Sequence, residues 1–392
     1  VTKPFFEVVM TEFDDIRPYH DAEVPTVLAR LIADNEFLDL LIGHRAPVLV
    51  KLCPWLLRPF LRRALRKGTA HIKTVSDLQS HITVSLKSLI ADTTDGYTVS
   101  GVDKLDANRQ YLFLSNHRDI ALDPAMVNLA LLDAGMGAVR IAIGDNLLRK
   151  PFASDLMRIN RSFIVKRSIS SRRDKLDALK TLSRYIRHSI TQESTSIWIA
   201  QREGRAKDGC DRTETALLKM LALSRSEEQS FAQAIAELDV VPVAISYEYD
   251  PCDIQKAREI YTKRQGLTYV KQEFEDLDTI KQGFIGYKGR IHVAFGEPVG
   301  DRYDSADSLA DAVDHQVYTH YKLFPSNIIA CQLLGYSDAF VSTQTLWPNQ
   351  DWALAEAQFN ARLSNAPDEL KTTITEAYAA PVLNYLQAQQ GS

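Results

Sequence analysis

Between about residues 95 and 295 the chain alternates short β-prone apolar runs with stretches of helical periodicity, and that alternation restricts it to a narrow group of folds. Tyr97–Val99, Tyr111–Leu114, Ala138–Ile143, Ser162–Val165, Ser196–Ala200, Val240–Tyr247 and Arg290–Phe295 read as strands; Pro124–Leu132, Lys175–Ser189 and Phe231–Leu238 read as helices. Strands separated by helices predict an α/β fold with a mixed, mostly parallel sheet flanked by helices. Functional loops in such sheets follow the carboxyl ends of strands. Residues 1–93 read as a smaller all-helical N-terminal domain, with apolar periodicity in Val24–Leu41 and Leu78–Ile90. Residues 94–392 hold the α/β domain and a helical C-terminal tail, Leu309–Leu333 and Trp352–Gln387.

Composition narrows the function classes. The formal net charge of −4 gives no global case for a nucleic-acid partner, so any basic site must be local. Four scattered cysteines, Cys53, Cys210, Cys252 and Cys331, form no paired spacing; neither a disulfide framework nor a metal site is expected. No cofactor motif stands out. Val1-Thr2-Lys3-Pro4 does not open a leader pattern, and no stretch of about 18 residues is free of polar interruption. The expected location is cytoplasmic, with peripheral attachment to the cytoplasmic face of a membrane as the variant.

One local basic segment supports that variant. From Leu40 to Ser76 there is no Asp or Glu, while Arg58, Arg62, Arg63, Arg66 and Lys67 lie across from Leu61 and Leu65. Such an amphipathic element suits an anionic membrane or an acidic partner. It equally suits a solvated helix face. Pro54 and Pro59 predict two short helices with a bend.

The sharpest chemical signal is Leu112-Phe113-Leu114-Ser115-Asn116-His117-Arg118-Asp119-Ile120-Ala121-Leu122-Asp123-Pro124. An apolar strand ends in a polar loop holding an imidazole and two carboxylates, and a helix follows with Asp123 as expected N-cap and Pro124 first. A His oriented by a carboxylate is the minimum equipment for general-base catalysis on an alcohol. Asp119 and Asp123 are both candidates for that carboxylate. His117-Arg118-Asp119 also imitates a protein-kinase catalytic loop, but Pro124 stands where Asn is required and no Gly-rich loop or D-F-G accompanies it.

Three later segments add to this loop: Phe163-Ile164 with Arg167, Gly204-Arg205, and Val241-Pro242-Val243. With Asn116-His117 and Asp123 they resemble, in order, the four motifs of the glycerol-3-phosphate/lysophosphatidate acyltransferase superfamily. Asp123-Pro124-Ala125, Trp198-Ile199-Ala200 and Arg205-Ala206-Lys207 are similar in style to the soluble plastid-type glycerol-3-phosphate acyltransferases, and Gly296-Glu297-Pro298 is also familial. The motifs span residues 111 to 300, about half the chain. This sequence departs from the pattern in three places. Five residues rather than four separate His117 from Asp123, Arg161 stands where Gly is usual, and Arg202 occupies the place of an acidic residue.

The resemblance implies an O-acyltransferase of phospholipid biosynthesis. It would move a fatty acyl group from acyl-CoA or acyl carrier protein to 1-acyl-sn-glycerol-3-phosphate or a related lysophospholipid, or alternatively to glycerol-3-phosphate. His117 would be the base, and Asp123 its partner on the Asp-Pro-Ala context, with Asp119 still open. Arg167, Arg205, Lys207 and Lys166 would bind the phosphate; Asn116 and Gly204 would support the loop or an oxyanion. No covalent acyl-enzyme is implied, and no G-x-S-x-G motif is present. The reading outside enzymology is a membrane-surface or acidic-partner binding protein.

Overall fold

A computed structural model describes residues 12–45, 54–148, 150–272 and 275–390. The architecture is α/β, a mostly parallel sheet flanked by helices with helical segments toward both ends of the chain. Its strands are β1 (Gly96–Ser100), β2 (Leu112–Ser115), β3 (Arg140–Gly144), β4 (Ser162–Val165), β5 (Ile197–Ala200), β6 (Val240–Tyr247) and β7 (Arg290–Phe295). The chain divides into two compact units, Val1–Ser85 with Arg140–Tyr185 and Leu86–Val139 with Ile186–Ser392.

In the first unit, Val24, Val27 and Leu31 recur at helical spacing and bury one stripe against Ile72, Val75, Phe152 and Ile159. The run Val24–Leu41 is two helices, Val24–Ala33 and Asn35–Arg45. Asp34 parts them, its carboxylate accepting from Phe37 N at 2.9 Å to cap the second. β3 and β4 pair in parallel. Arg161, just before β4, has φ of 62°, a left-handed conformation that glycine adopts without strain.

The helix Pro54–Thr69 is continuous through Pro59, against the bend expected from two prolines. Pro59 lies in the second turn, where its missing N–H removes a single i→i−4 bond. The flanking guanidiniums are anchored. Arg58 grips Asp39 with two bonds of 2.8 and 2.6 Å, and Arg62 donates to Ile32 O, Ala33 O and Asn35 Oδ1 at the end of the helix Val24–Ala33. Arg58 and Arg62 are therefore engaged inside the unit. Arg63, Arg66 and Lys67 are exposed, and Phe60 is 75% exposed beside them. Residues 46–53 of the basic segment, Cys53 among them, lie outside the described residues, as does the N-terminal tetrapeptide.

In the second unit the strand order is β1-β7-β6-β2-β5. β6, β2 and β5 run parallel, and β7 is antiparallel to β6. Ser115 stands opposite both Ala200 and Val243, so the loops after β2 and β5 leave the sheet at one level while β6 continues four residues further. Every residue of β2 and β6 is buried, which explains their unbroken apolar runs. The C-terminal helices close this unit. In the helix Pro325–Leu333, Ser326 Oγ donates to Glu248 O at 2.6 Å and Asn327 Nδ2 to Tyr378 O at 3.0 Å. Among the described residues, no helix is long and apolar enough to cross a membrane.

Candidate active site

The chain leaves β2 at Ser115, and the next residue is held by its side chain. Asn116 Oδ1 accepts from Ile245 N at 2.7 Å, while Nδ2 donates to Ile245 O at 3.0 Å and to Asp211 Oδ2 at 3.1 Å. Both amide hydrogens are thus occupied. Asn116 ties the loop to β6 through its side chain.

His117 follows. Its Nδ1 lies 2.8 Å from Asp123 Oδ2, and its side chain is 14% exposed. The same oxygen accepts from the backbone N–H groups of Arg118 at 2.5 Å and Asp119 at 2.9 Å, and Oδ1 accepts from Tyr247 Oη at 2.8 Å. Two of these partners, the backbone N–H groups on Oδ2, can only donate, so Oδ2 is an acceptor and Nδ1 carries the shared proton. The lone pair then resides on Nε2, the arrangement of a general base.

The helix here runs Leu122–Asp133, so Asp123 is not its N-cap. Its N-cap is Ala121, and Asp119, two residues earlier, accepts at Oδ1 from Ala121 N at 3.0 Å and Leu122 N at 2.8 Å. Asp123 lies inside the first turn, with both oxygens turned to other donors. Asp119 bonds backbone rather than the imidazole. Burial, reinforced by the charge of Asp123, pushes the Asp119 carboxyl above its usual range. A Cβ at Gly283 would come within 2.2 Å of Asp119 Oδ2, so only glycine fits behind this loop.

A second layer of charge fixes the loop from below. Arg118 donates to Asp211 Oδ2 at 2.5 Å and to Gly209 O at 3.3 Å, with Tyr321 under its guanidinium at 5.4 Å. Lys256 Nζ donates to Arg118 O at 2.6 Å and also holds Asp250.

The loop after β5 closes against His117. Trp198 meets the imidazole edge to face, with centroids 5.7 Å apart. Gly204 takes φ of 75° in the turn, a conformation suited to glycine. Ala206 N donates to His117 O at 2.8 Å, tying the arginine-bearing loop to the base. Arg205 Nη1 is buried without an acceptor, as is Arg202 Nε in the same loop. Buried donors without a partner are uncommon in folded proteins. Lys207 differs, since its ammonium is bound by Glu259, which Lys263 also holds. Burial also lowers the Lys207 pKa, in part against Glu259.

Arg167 and Lys166 belong to the other unit and follow β4. The Arg167 guanidinium packs on Gly144, and Lys166 Nζ lies 3.4 Å from Asp15. Their assignment to a phosphate rests on the resemblance alone. Sequence reasoning missed Tyr247, Asp211 and Lys256, which reach the loop from 88 or more residues away; only the end of an apolar strand marked Tyr247.

A buried carboxylate thus sets an imidazole at the carboxyl ends of parallel strands, where the functional loops of such sheets lie. Residues 96–246 match the family model described as Acyltransferase. Among solved structures, the 1-acyl-sn-glycerophosphate (LPA) acyltransferase PlsC from Thermotoga maritima is similar over 72% of this chain and 92% of that one, at 14% identity and a TM-score of 0.36. No curated protein matches the chain.

Proposed function

We propose that the protein transfers a fatty acyl group from acyl-CoA or acyl carrier protein to 1-acyl-sn-glycerol-3-phosphate or a related lysophospholipid. The observation that carries this reading is the bond from Ala206 N to His117 O, which ties the loop bearing Arg205, a buried donor without an acceptor, to the loop bearing an imidazole held by Asp123. An acceptor with a hydroxyl near a phosphate matches that pair. His117 Nε2 takes the hydroxyl proton as the oxygen attacks the thioester carbonyl. The tetrahedral intermediate collapses, the C–S bond breaks, and the leaving thiolate takes the proton back from the imidazolium. Asp123 steadies the imidazolium meanwhile.

Thiol release measured with both donors, against lysophosphatidate and glycerol-3-phosphate, tests the reading. Faster turnover on glycerol-3-phosphate would move the assignment to the smaller acceptor, and no release with any pair would end it. Arg205→Ala is expected to raise the acceptor KM about 10- to 100-fold, the effect of losing a charge-assisted hydrogen bond of about 1.5–3 kcal/mol, while the donor KM stays put. An unchanged acceptor KM would remove Arg205 from the phosphate site.

For peripheral membrane contact the proposed surface is Phe60, Arg63, Arg66 and Lys67, exposed on the helix Pro54–Thr69. Each basic residue contributes about 1 kcal/mol near an anionic surface. Replacing Arg63, Arg66 and Lys67 together by glutamine should weaken co-sedimentation with phosphatidylserine-containing vesicles about 100-fold or more. Equal binding would place membrane contact elsewhere.

A further inference from the structure

The carboxylate that holds the imidazole is itself held from behind. Asp123 is fully buried and uses its two oxygens differently: Oδ2 faces His117 and the backbone, and Oδ1 faces one group, the phenol of Tyr247, at 2.8 Å. Tyr247 is the last residue of β6, which extends four residues beyond the level at which β2 stops. That extension brings the side chain alongside the loop 116–123. Tyr321 approaches the backbone of Tyr247 and lies under Arg118.

We infer that Tyr247 is a positioning residue for acyl transfer, acting through Asp123 to hold the His117 imidazole in the one orientation that frees Nε2. The inference rests on the general-base reading of His117 and adds a third member to that pair. A carboxylate free to rotate about its Cβ–Cγ bond could offer either oxygen to the ring, at varying angles. A donor fixed on Oδ1 removes that freedom and keeps Oδ2 on Nδ1. The hydroxyl serves here as a neutral donor, since burial and the charges of Asp123 and Asp119 keep its proton in place well past the ordinary tyrosine range. The phenol lies on the far side of the carboxylate from the ring and is assigned no contact with substrate.

Tyr247→Phe removes a single oxygen and leaves the ring packing intact. Its expected signature is a kcat about 10-fold lower with both KM values within about twofold of wild type, since orientation of the base acts on the chemical step and not on binding. The discriminating measurement is a double-mutant cycle with Asp123→Asn. If Tyr247 acts through Asp123, Tyr247→Phe changes kcat less than about twofold in the Asp123→Asn background. The same 10-fold loss in both backgrounds would overturn the inference, as would a wild-type kcat in Tyr247→Phe alone.

Should Tyr247→Phe not fold, 3-fluorotyrosine at position 247 retains ring and donor while making the phenol more acidic. The lowest-field imidazole N–H proton resonance, assigned by its absence from His117→Ala, should then shift; an unmoved resonance would overturn the coupling. The two readings fail separately. Normal turnover in His117→Ala removes the base and Tyr247's role with it. An inert His117→Ala beside a fully active Tyr247→Phe removes only the role of Tyr247.

Discussion

His117→Ala is expected to lower the rate of thiol release about 10³-fold or more while the protein stays folded. General-base catalysis contributes roughly 10²–10⁴-fold, and the upper part of that range applies because an acceptor alcohol is far less acidic than imidazolium and cannot attack the thioester until its proton is drawn. The imidazole makes one polar side-chain contact, to Asp123, and its removal leaves the backbone bond from Ala206 to position 117 available. The loss should therefore appear in kcat, with melting temperature and acceptor KM little changed. Asp123→Asn should fall part of the way, because the amide can present the wrong partner to Nδ1. Asp119→Asn should instead act mainly on stability, through the bonds it accepts at the start of the helix Leu122–Asp133. Turnover near wild type in His117→Ala would dispose of the proton-transfer scheme.

The second large effect falls on stability. Arg118 and Asp211 form an ion pair at 2.5 Å with side chains 10% and 3% exposed, and Asn116 donates to the same carboxylate oxygen. Arg118→Met keeps much of the volume and strands a charge. Breaking a buried pair from one side costs about 3–5 kcal/mol, which should appear in denaturant unfolding as a lower midpoint at constant slope. The pH dependence has a definite sign. Burial pushes the Asp211 carboxyl up, and Arg118 is the charge that most opposes it. With Arg118 gone, the folded state holds the Asp211 proton more tightly than the unfolded chain does, so stability falls as pH rises through the carboxylate range. The deficit should be largest near neutrality and shrink in acid. A deficit that grew on acidification would show that Asp211 is not the stranded group.

Much of this was legible in the sequence. All seven strands lie where runs of three to eight residues marked them, most plainly β2 and β6, because a strand buried on both faces has little freedom in composition. The neighbourhood of His117 was legible too, being local in the chain. What escaped was long-range or a choice between equals. Asp119 and Asp123 both precede or open one helix, and only the folded loop decides which carboxylate bonds the helix start and which turns to the ring. Lys207 looks open in the sequence, yet Glu259 binds it from 52 residues away. Arg62 looks like surface charge, yet it serves helix-end carbonyls 29 and 30 residues upstream. The helices Asp253–Arg264 and Glu275–Ile285 gave no sign because they bury few apolar side chains, Ala257 alone in the first.

The twofold bond between the Asn116 amide and the backbone of Ile245 has a consequence for where the loop can start. A primary amide carries one donor and one acceptor in the geometry of a peptide group, so this side chain stands in for a strand residue and adds one rung to the ladder after the main chain of β2 has turned away. Aspartate would offer no hydrogen to the rung, and glutamine would overreach it by a methylene. The imidazole thus departs from the sheet at a point set by an imitation of backbone, and that point tolerates no change in side-chain length.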